Sequence, residues 1–169
     1  MPSENGGNRK LTTIEELYLR YRGHLYRLCR RYLPSGHDAD DLVQTVFLKA
    51  MRGLPAFKGE AGHFTWLYRI TVNECLSYLK KNRHRYETYN EAVGVPEDDT
   101  APDYAERREL WHRMLFGFGR TDRTVILLHA FEGVPVAEVA EILQVSRQVI
   151  HRRWSRIRSV LRQRIRRES

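Results

Sequence analysis

Only two cysteines, Cys29 and Cys75, occur in 169 residues, too few and too far apart for a disulfide framework or a CxxC zinc knuckle. No apolar run approaches the roughly 18 residues that a membrane span needs. The first ten residues are polar and lack the apolar stretch of a secretory signal. These absences exclude the secreted, membrane and zinc-ribbon classes and lead us to expect a soluble protein of the cytoplasm, without membrane insertion. Catalytic signatures are missing too, with no GxxxxGK, HExxH or GxSxG. Of the scattered histidines, His24, His112 and His129 read as packing or surface groups. Asp38, Asp40 and Asp41 hint at a metal, but the positive end of a helix dipole explains them better. No catalysis, metal or cofactor is expected.

Lysine is scarce as well. The chain has 29 basic residues against 21 acidic ones, a net charge of +8, and 24 of the 29 are arginine. The planar arginine fork suits phosphate oxygens and guanine edges better than a lysine point charge does. Codon bias in a GC-rich genome would give the same ratio, but it would not segregate the charge. Residues 1–85 carry +7, residues 86–109 carry −6 and residues 110–169 carry +7. Two basic lobes flanking an acidic strip point to a polyanionic partner.

The strip at 87–104 holds Gly94, Pro96, Pro102 and the run Glu97-Asp98-Asp99, with no apolar period, and reads as a flexible acidic linker over 86–106. Elsewhere the apolar positions follow the helical period and strand alternation is absent. Ile14, Leu17, Tyr18, Tyr21, Leu25, Leu28 and Tyr32 mark a first helix. Leu42, Val43, Val46, Phe47, Ala50, Met51 and Leu54 mark a second, with Asp38 as expected N-cap and Pro55 as its stop. Phe64, Leu67, Tyr68, Thr71, Cys75, Tyr78 and Leu79 mark a third. After the linker, helices are expected over 107–118, 122–132, 136–143 and from Ser146 to about Arg166. The expected fold is all-α: a small domain over 11–85 and a second over 107–167, each with a modest core.

Three helical faces carry more than packing. The pair 136–143 and 147–166, joined through Gln144-Val145 with Ser146 as N-cap, has helix-turn-helix spacing. On its second helix Ile150, Trp154, Ile157, Leu161 and Ile165 form one stripe. Gln148, Arg152, Ser155 and Ser159 lie opposite, flanked by His151 and Arg156. Nine arginines and no acid lie from Arg147 to Arg167, and such like charges repel at i, i+4. A helix for the DNA major groove accounts for this better than a solvated face.

On the second helix, Leu48 lies outside the apolar stripe, beside Asp41, Thr45 and Arg52 and bordered by Gln44. An exposed leucine can be incidental; an apolar centre with a polar rim also fits a protein contact. On the third helix, Trp66, Arg69, Asn73, Ser77 and Lys80 share a side that continues through Lys81, Arg83 and Arg85. Aromatic, cationic and amide groups together suit unstacked bases and a phosphate backbone, although Trp66 also fits the edge of a core.

The stretch Asp38-Ala39-Asp40-Asp41-Leu42-Val43-Gln44-Thr45-Val46-Phe47-Leu48-Lys49-Ala50 resembles the polymerase-binding segment of sigma-70-family factors. Phe64-Thr65-Trp66-Leu67-Tyr68-Arg69-Ile70, with Asn73 and Lys80-Lys81-Asn82-Arg83, is similar to the promoter-melting helix of the extracytoplasmic-function subgroup. Glu132-Gly133 through Ala140-Glu141-Ile142-Leu143, then Val145-Ser146 and Arg153-Trp154-Ser155-Arg156, is similar to that subgroup's domain-four helix-turn-helix. The resemblance covers about 11–85 and 107–167, with no third domain between them.

The resemblance implies a non-enzymatic subunit that binds core RNA polymerase and directs it to promoter DNA, held first as duplex and then as melted single strand. Asp41, Gln44, Thr45 and Leu48 would face the polymerase. Trp66, Arg69, Asn73, Ser77, Lys80 and Lys81, with the 55–63 loop, would serve the minus-ten element. Arg147, Gln148, His151, Arg152, Ser155 and Arg156 would serve the minus-thirty-five element, and an anti-sigma factor is a candidate partner. The sequence departs from the family pattern at several places. Thr45 stands for an acid, Ser77 for Asp, Phe118-Gly119 for Leu-Pro, His151 for Lys and Trp154 for Leu. A stand-alone helix-turn-helix regulator on duplex operators is the main alternative; a helical nuclease is a more distant one.

Overall fold

A computed structural model describes residues 13–33, 35–82, 113–115 and 117–168. All regular elements among them are helical. Helix α1 (Ile14–Tyr32) opens on a reciprocal cap, in which the Thr13 hydroxyl accepts from Glu16 N and the Glu16 carboxylate accepts from Thr13 N. Helix α2 (Gly36–Gly53) starts earlier than expected. Its N-cap is Ser35, whose Oγ accepts from the Asp38 amide, so Asp38 stands in the first turn instead of capping it. Pro55 lies in a 3-10 turn, Leu54–Ala56. After it comes α3 (His63–Lys81).

These three helices pack on one another through the expected stripes. Leu17, Leu25, Leu28, Val43, Val46, Ala50, Leu67, Val72 and Leu79 are buried, and Cys29 and Cys75 lie in the same core with their sulfurs 3.9 Å apart. Met51 departs from the expectation at 49% exposed. Tyr18, near the start of α1, already meets Phe47 edge-on at 4.9 Å. Little of α1 remains to cover the next turn of α2.

The second lobe contains a helical turn at 113–115, followed by Gly117 at φ +78°; positions 107–112 and 116 of the helix expected over 107–118 lie outside the described residues. Helix α4 (Arg120–Val125) widens into a π-helical segment, Ile126–Phe131, closed by Glu132 N donating to Leu127 O. Helix α5 spans Val136–Leu143 as expected and stops at Gln144, left-handed at φ 55°. Helix α6 spans Arg147–Glu168, with Ser146 Oγ accepting from Val149 N at 3.4 Å. Ile150 and Ile157 are fully buried, but the apolar stripe fades along α6 and Ile165 is 54% exposed. The linker expected over 86–106 lies outside the described residues.

The relative placement of the lobes is not readable from periodicity. In the structure they share one continuous core, and α3 packs along α5. Tyr32 OH donates to Thr124 Oγ1 at 2.9 Å, both groups buried. Arg31 pairs with Glu132 at 3.1 Å, Tyr68 OH reaches Glu132 at 3.5 Å, and Thr65 Oγ1 donates to Glu138 at 3.2 Å. Burial lowers the Arg31 pKa, opposed by the Glu132 charge; its guanidinium also lies over Phe131 at 4.9 Å. Burial raises the Tyr68 pKa, and the Glu132 charge adds to it.

Candidate nucleic-acid and polymerase interface

The α2 patch stands clear of the core. Its face turns Asp41, Gln44 and Leu48 to solvent, Leu48 at 53% exposed, because Leu42, Val43, Val46, Phe47 and Ala50 take the buried side. Thr45 is half-buried and donates its hydroxyl to Asp41 O at 3.0 Å. Met51 adds a second apolar group that the sequence reading placed inside. It lies three residues after Leu48, the spacing at which helix neighbours touch. That spacing was the available signal.

On α3 the outer face is graded. Asn73, Ser77, Lys80 and Lys81 are exposed, whereas Trp66 and Arg69 are half-buried. The Trp66 ring stacks on Phe57 at 4.8 Å, and Phe57 meets His63 at 4.8 Å. Gly53 lies beneath; a Cβ there would come within 3.2 Å of Trp66 Cζ2. Trp66 thus belongs both to the edge of the packing and to an aromatic row at the head of α3. The sequence named the 55–63 loop but not Phe57 as the ring that meets Trp66. A different side of α3, through Thr65 and Tyr68, faces the second lobe.

On α6, Arg147, Gln148, His151, Arg152, Ser155 and Arg156 are all exposed, opposite the buried Ile150 and Ile157. Trp154 is half-buried and meets the His129 ring edge-on at 4.8 Å. His129 Nδ1 lies 2.8 Å from Val134 O; a carbonyl only accepts, so Nδ1 carries the hydrogen. A cleft of about 320 Å³ is lined by Val149, Arg152, Arg153 and Arg156. The arginines of α6 are not equivalent. Arg153 and Arg156 both donate to the buried Asp122 carboxylate. Arg164 donates to the backbone carbonyls of Arg113 and Met114 and lies over the Phe118 ring at 5.0 Å. Sequence reasoning gave Arg156 and the later arginines to phosphates as a group and passed over Asp122.

Two family models match the chain, Sigma-70 region 2 over residues 17–85 and Sigma-70 region 4 over residues 120–161. The ECF RNA polymerase sigma-E factor of Escherichia coli K12 is 31% identical, over 86% of this chain and 82% of the relative. The chain belongs to the sigma-70 family. The Haemophilus influenzae ECF RNA polymerase sigma-E factor is 30% identical over 94% of this chain and 89% of its own length. The chain is therefore an RNA polymerase sigma factor of the extracytoplasmic-function type.

Solved structures agree on the fold. The sigma factor RpoE of Bartonella quintana, crystallised with the anti-sigma factor NepR, matches with a TM-score of 0.67 at 21% identity, over 90% of this chain and 96% of that one. CnrH, in complex with the cytosolic domain of CnrY, matches with a TM-score of 0.66 at 24% identity, over 92% and 89%. Family membership decides for the sigma factor over the stand-alone regulator. Among the described residues no helix is long and apolar enough to cross a membrane.

Proposed function

We propose that the three exposed faces divide the work of this sigma factor. The 11–85 domain binds core RNA polymerase through Asp41, Gln44, Thr45 and Leu48 on α2. It engages the minus-ten element through Trp66, Arg69, Asn73, Ser77, Lys80 and Lys81 on α3. The 107–167 domain lays α6 in the major groove of the minus-thirty-five element, and the 86–106 segment joins the two. The chain catalyses nothing itself and works in the cytoplasm. An anti-sigma factor, of the kind bound to the Bartonella relative, completes the proposed set of partners.

The observation that carries this reading is the division of α6. Gln148, His151 and Arg152 stand exposed near its N-terminal end, while Ile150 and Ile157 on the other side are fully buried. Gln pairs with adenine N6/N7 and Arg with guanine O6/N7. Arg156, Arg158 and the later arginines, Arg162 among them, would hold phosphates, which fix register without reading sequence. The test assembles the full chain with core polymerase and selects sites from a duplex library randomised in the upstream element. Arg152→Ala should relax preference at one or two positions and cost roughly 1–3 kcal/mol on the preferred site, and Arg162→Ala should weaken all sequences alike. A motif that survives Arg152→Ala but changes with Arg162→Ala would reverse the placement of α6.

A further inference from the structure

Asp122 sits in the first turn of α4, its side chain 5% exposed, behind the helix proposed to enter DNA. Oδ1 accepts from Arg153 Nη1 at 2.9 Å and Oδ2 accepts from Arg156 Nη2. The two arginines are 38% and 62% exposed, so each is fixed at one end of its guanidinium and open to solvent elsewhere. They are three residues apart on one flank of α6 and, with Arg152 and Val149, line the cleft of about 320 Å³. A carboxylate this close to a DNA-binding surface works against attraction to phosphate. Its presence calls for a compensating role, and the fork geometry supplies one. Each arginine has five N–H donors; those not committed to Asp122 remain for a nucleic-acid oxygen. A guanidinium held in place before binding loses less side-chain entropy when it docks.

The geometry points to Asp122 as a positioning residue for promoter recognition, one that holds Arg153 and Arg156 as a prearranged phosphate clamp and so sets the register in which Arg152 meets the bases. This rests on the proposed placement of α6 in the upstream element. It turns a buried acid, unfavourable by net charge, into a source of discrimination between DNA sequences.

Asp122→Asn tests this, because it removes the charge and keeps the size. The full chain, assembled with core polymerase, is titrated with its selected duplex and with a scrambled duplex at several salt concentrations, and folding is followed by circular dichroism. The expected result is a loss on the order of tenfold in affinity for the selected duplex. Affinity for the scrambled duplex should be unchanged or higher, since a negative charge has gone. A merely structural acid would leave the ratio of the two affinities unchanged at temperatures where the variant is folded, and that result overturns the inference. Should Asp122→Asn not fold, Arg156→Gln, on the exposed partner, decides: a fallen ratio supports the clamp and an unchanged ratio overturns it. If the unsubstituted chain shows no preference for any upstream sequence, the placement of α6 fails first and the clamp fails with it.

Discussion

Tyr32 and Thr124, 92 residues apart, join the two lobes through a buried hydrogen bond of 2.9 Å from Tyr32 OH to Thr124 Oγ1. The pair closes a shared core in which Tyr32 is 1% and Thr124 0% exposed. A buried hydroxyl left unpaired costs about 1–3 kcal/mol. Tyr32→Phe removes the donor and strands the Thr124 hydroxyl. It should therefore destabilise the chain by about that amount, while Tyr32→Phe with Thr124→Val should recover part of the loss. Urea denaturation of the single and double variants measures the coupling. Additive losses would show that the two hydroxyls do not depend on each other.

The exposed pair Leu48 and Met51 gives a second test. Neither belongs to the buried set of α2, so Leu48→Arg and Met51→Arg should keep the helix content and thermal midpoint of the parent. Affinity for core RNA polymerase should fall by roughly 1–3 kcal/mol in each, as for an apolar centre within a polar rim; Gln44→Ala should cost less. Fluorescence anisotropy with purified core enzyme reads the effect, and unaltered affinity in all three would remove α2 from the polymerase contact.

Trp66 and Asn73 should separate packing from promoter melting. Asn73 is exposed, so Asn73→Ala should slow open-complex formation on duplex promoters without changing stability. Trp66 stacks on Phe57, so Trp66→Ala should lose stability as well as melting, base stacking on an aromatic being worth roughly 1–3 kcal/mol. Permanganate reactivity reports strand opening, and a pre-melted template should rescue both variants in part. Normal opening in both would assign the face another role.

Alkaline titration gives a test of burial. The Tyr32 and Tyr68 pKa values are both raised above the ordinary value near 10, mainly by desolvation. The folded state holds these phenols neutral, and an unfolded chain releases their protons earlier. Stability is thus full below about pH 10 and falls as the pH rises beyond it, because only the unfolded state gains by ionising. Denaturant midpoints from pH 8 to 11 should drop in the upper part of that range, and tyrosinate absorbance should appear with unfolding. Ionisation of all tyrosines near their ordinary pKa, with no loss of structure, would contradict the buried placement.

The sequence by itself determined what depends on local period. The core stripes of α1 to α3 with Cys75 among them, the bounds of α5 and the outward faces of α2, α3 and α6 all follow from side chains recurring at 3.6-residue spacing. The stripes were over-extended at Met51 and Ile165, since periodicity continues whether or not a neighbouring element is there to cover the next turn. Tertiary structure alone decided which groups meet across long separations: Tyr32 with Thr124, Arg31 and Tyr68 with Glu132, Thr65 with Glu138, and Asp122 with Arg153 and Arg156. A helical period states which side of a helix is apolar but not which polar side chain of another element will stand opposite it. That choice is made when the lobes dock, where each buried polar group must find a partner or bear the cost of desolvation.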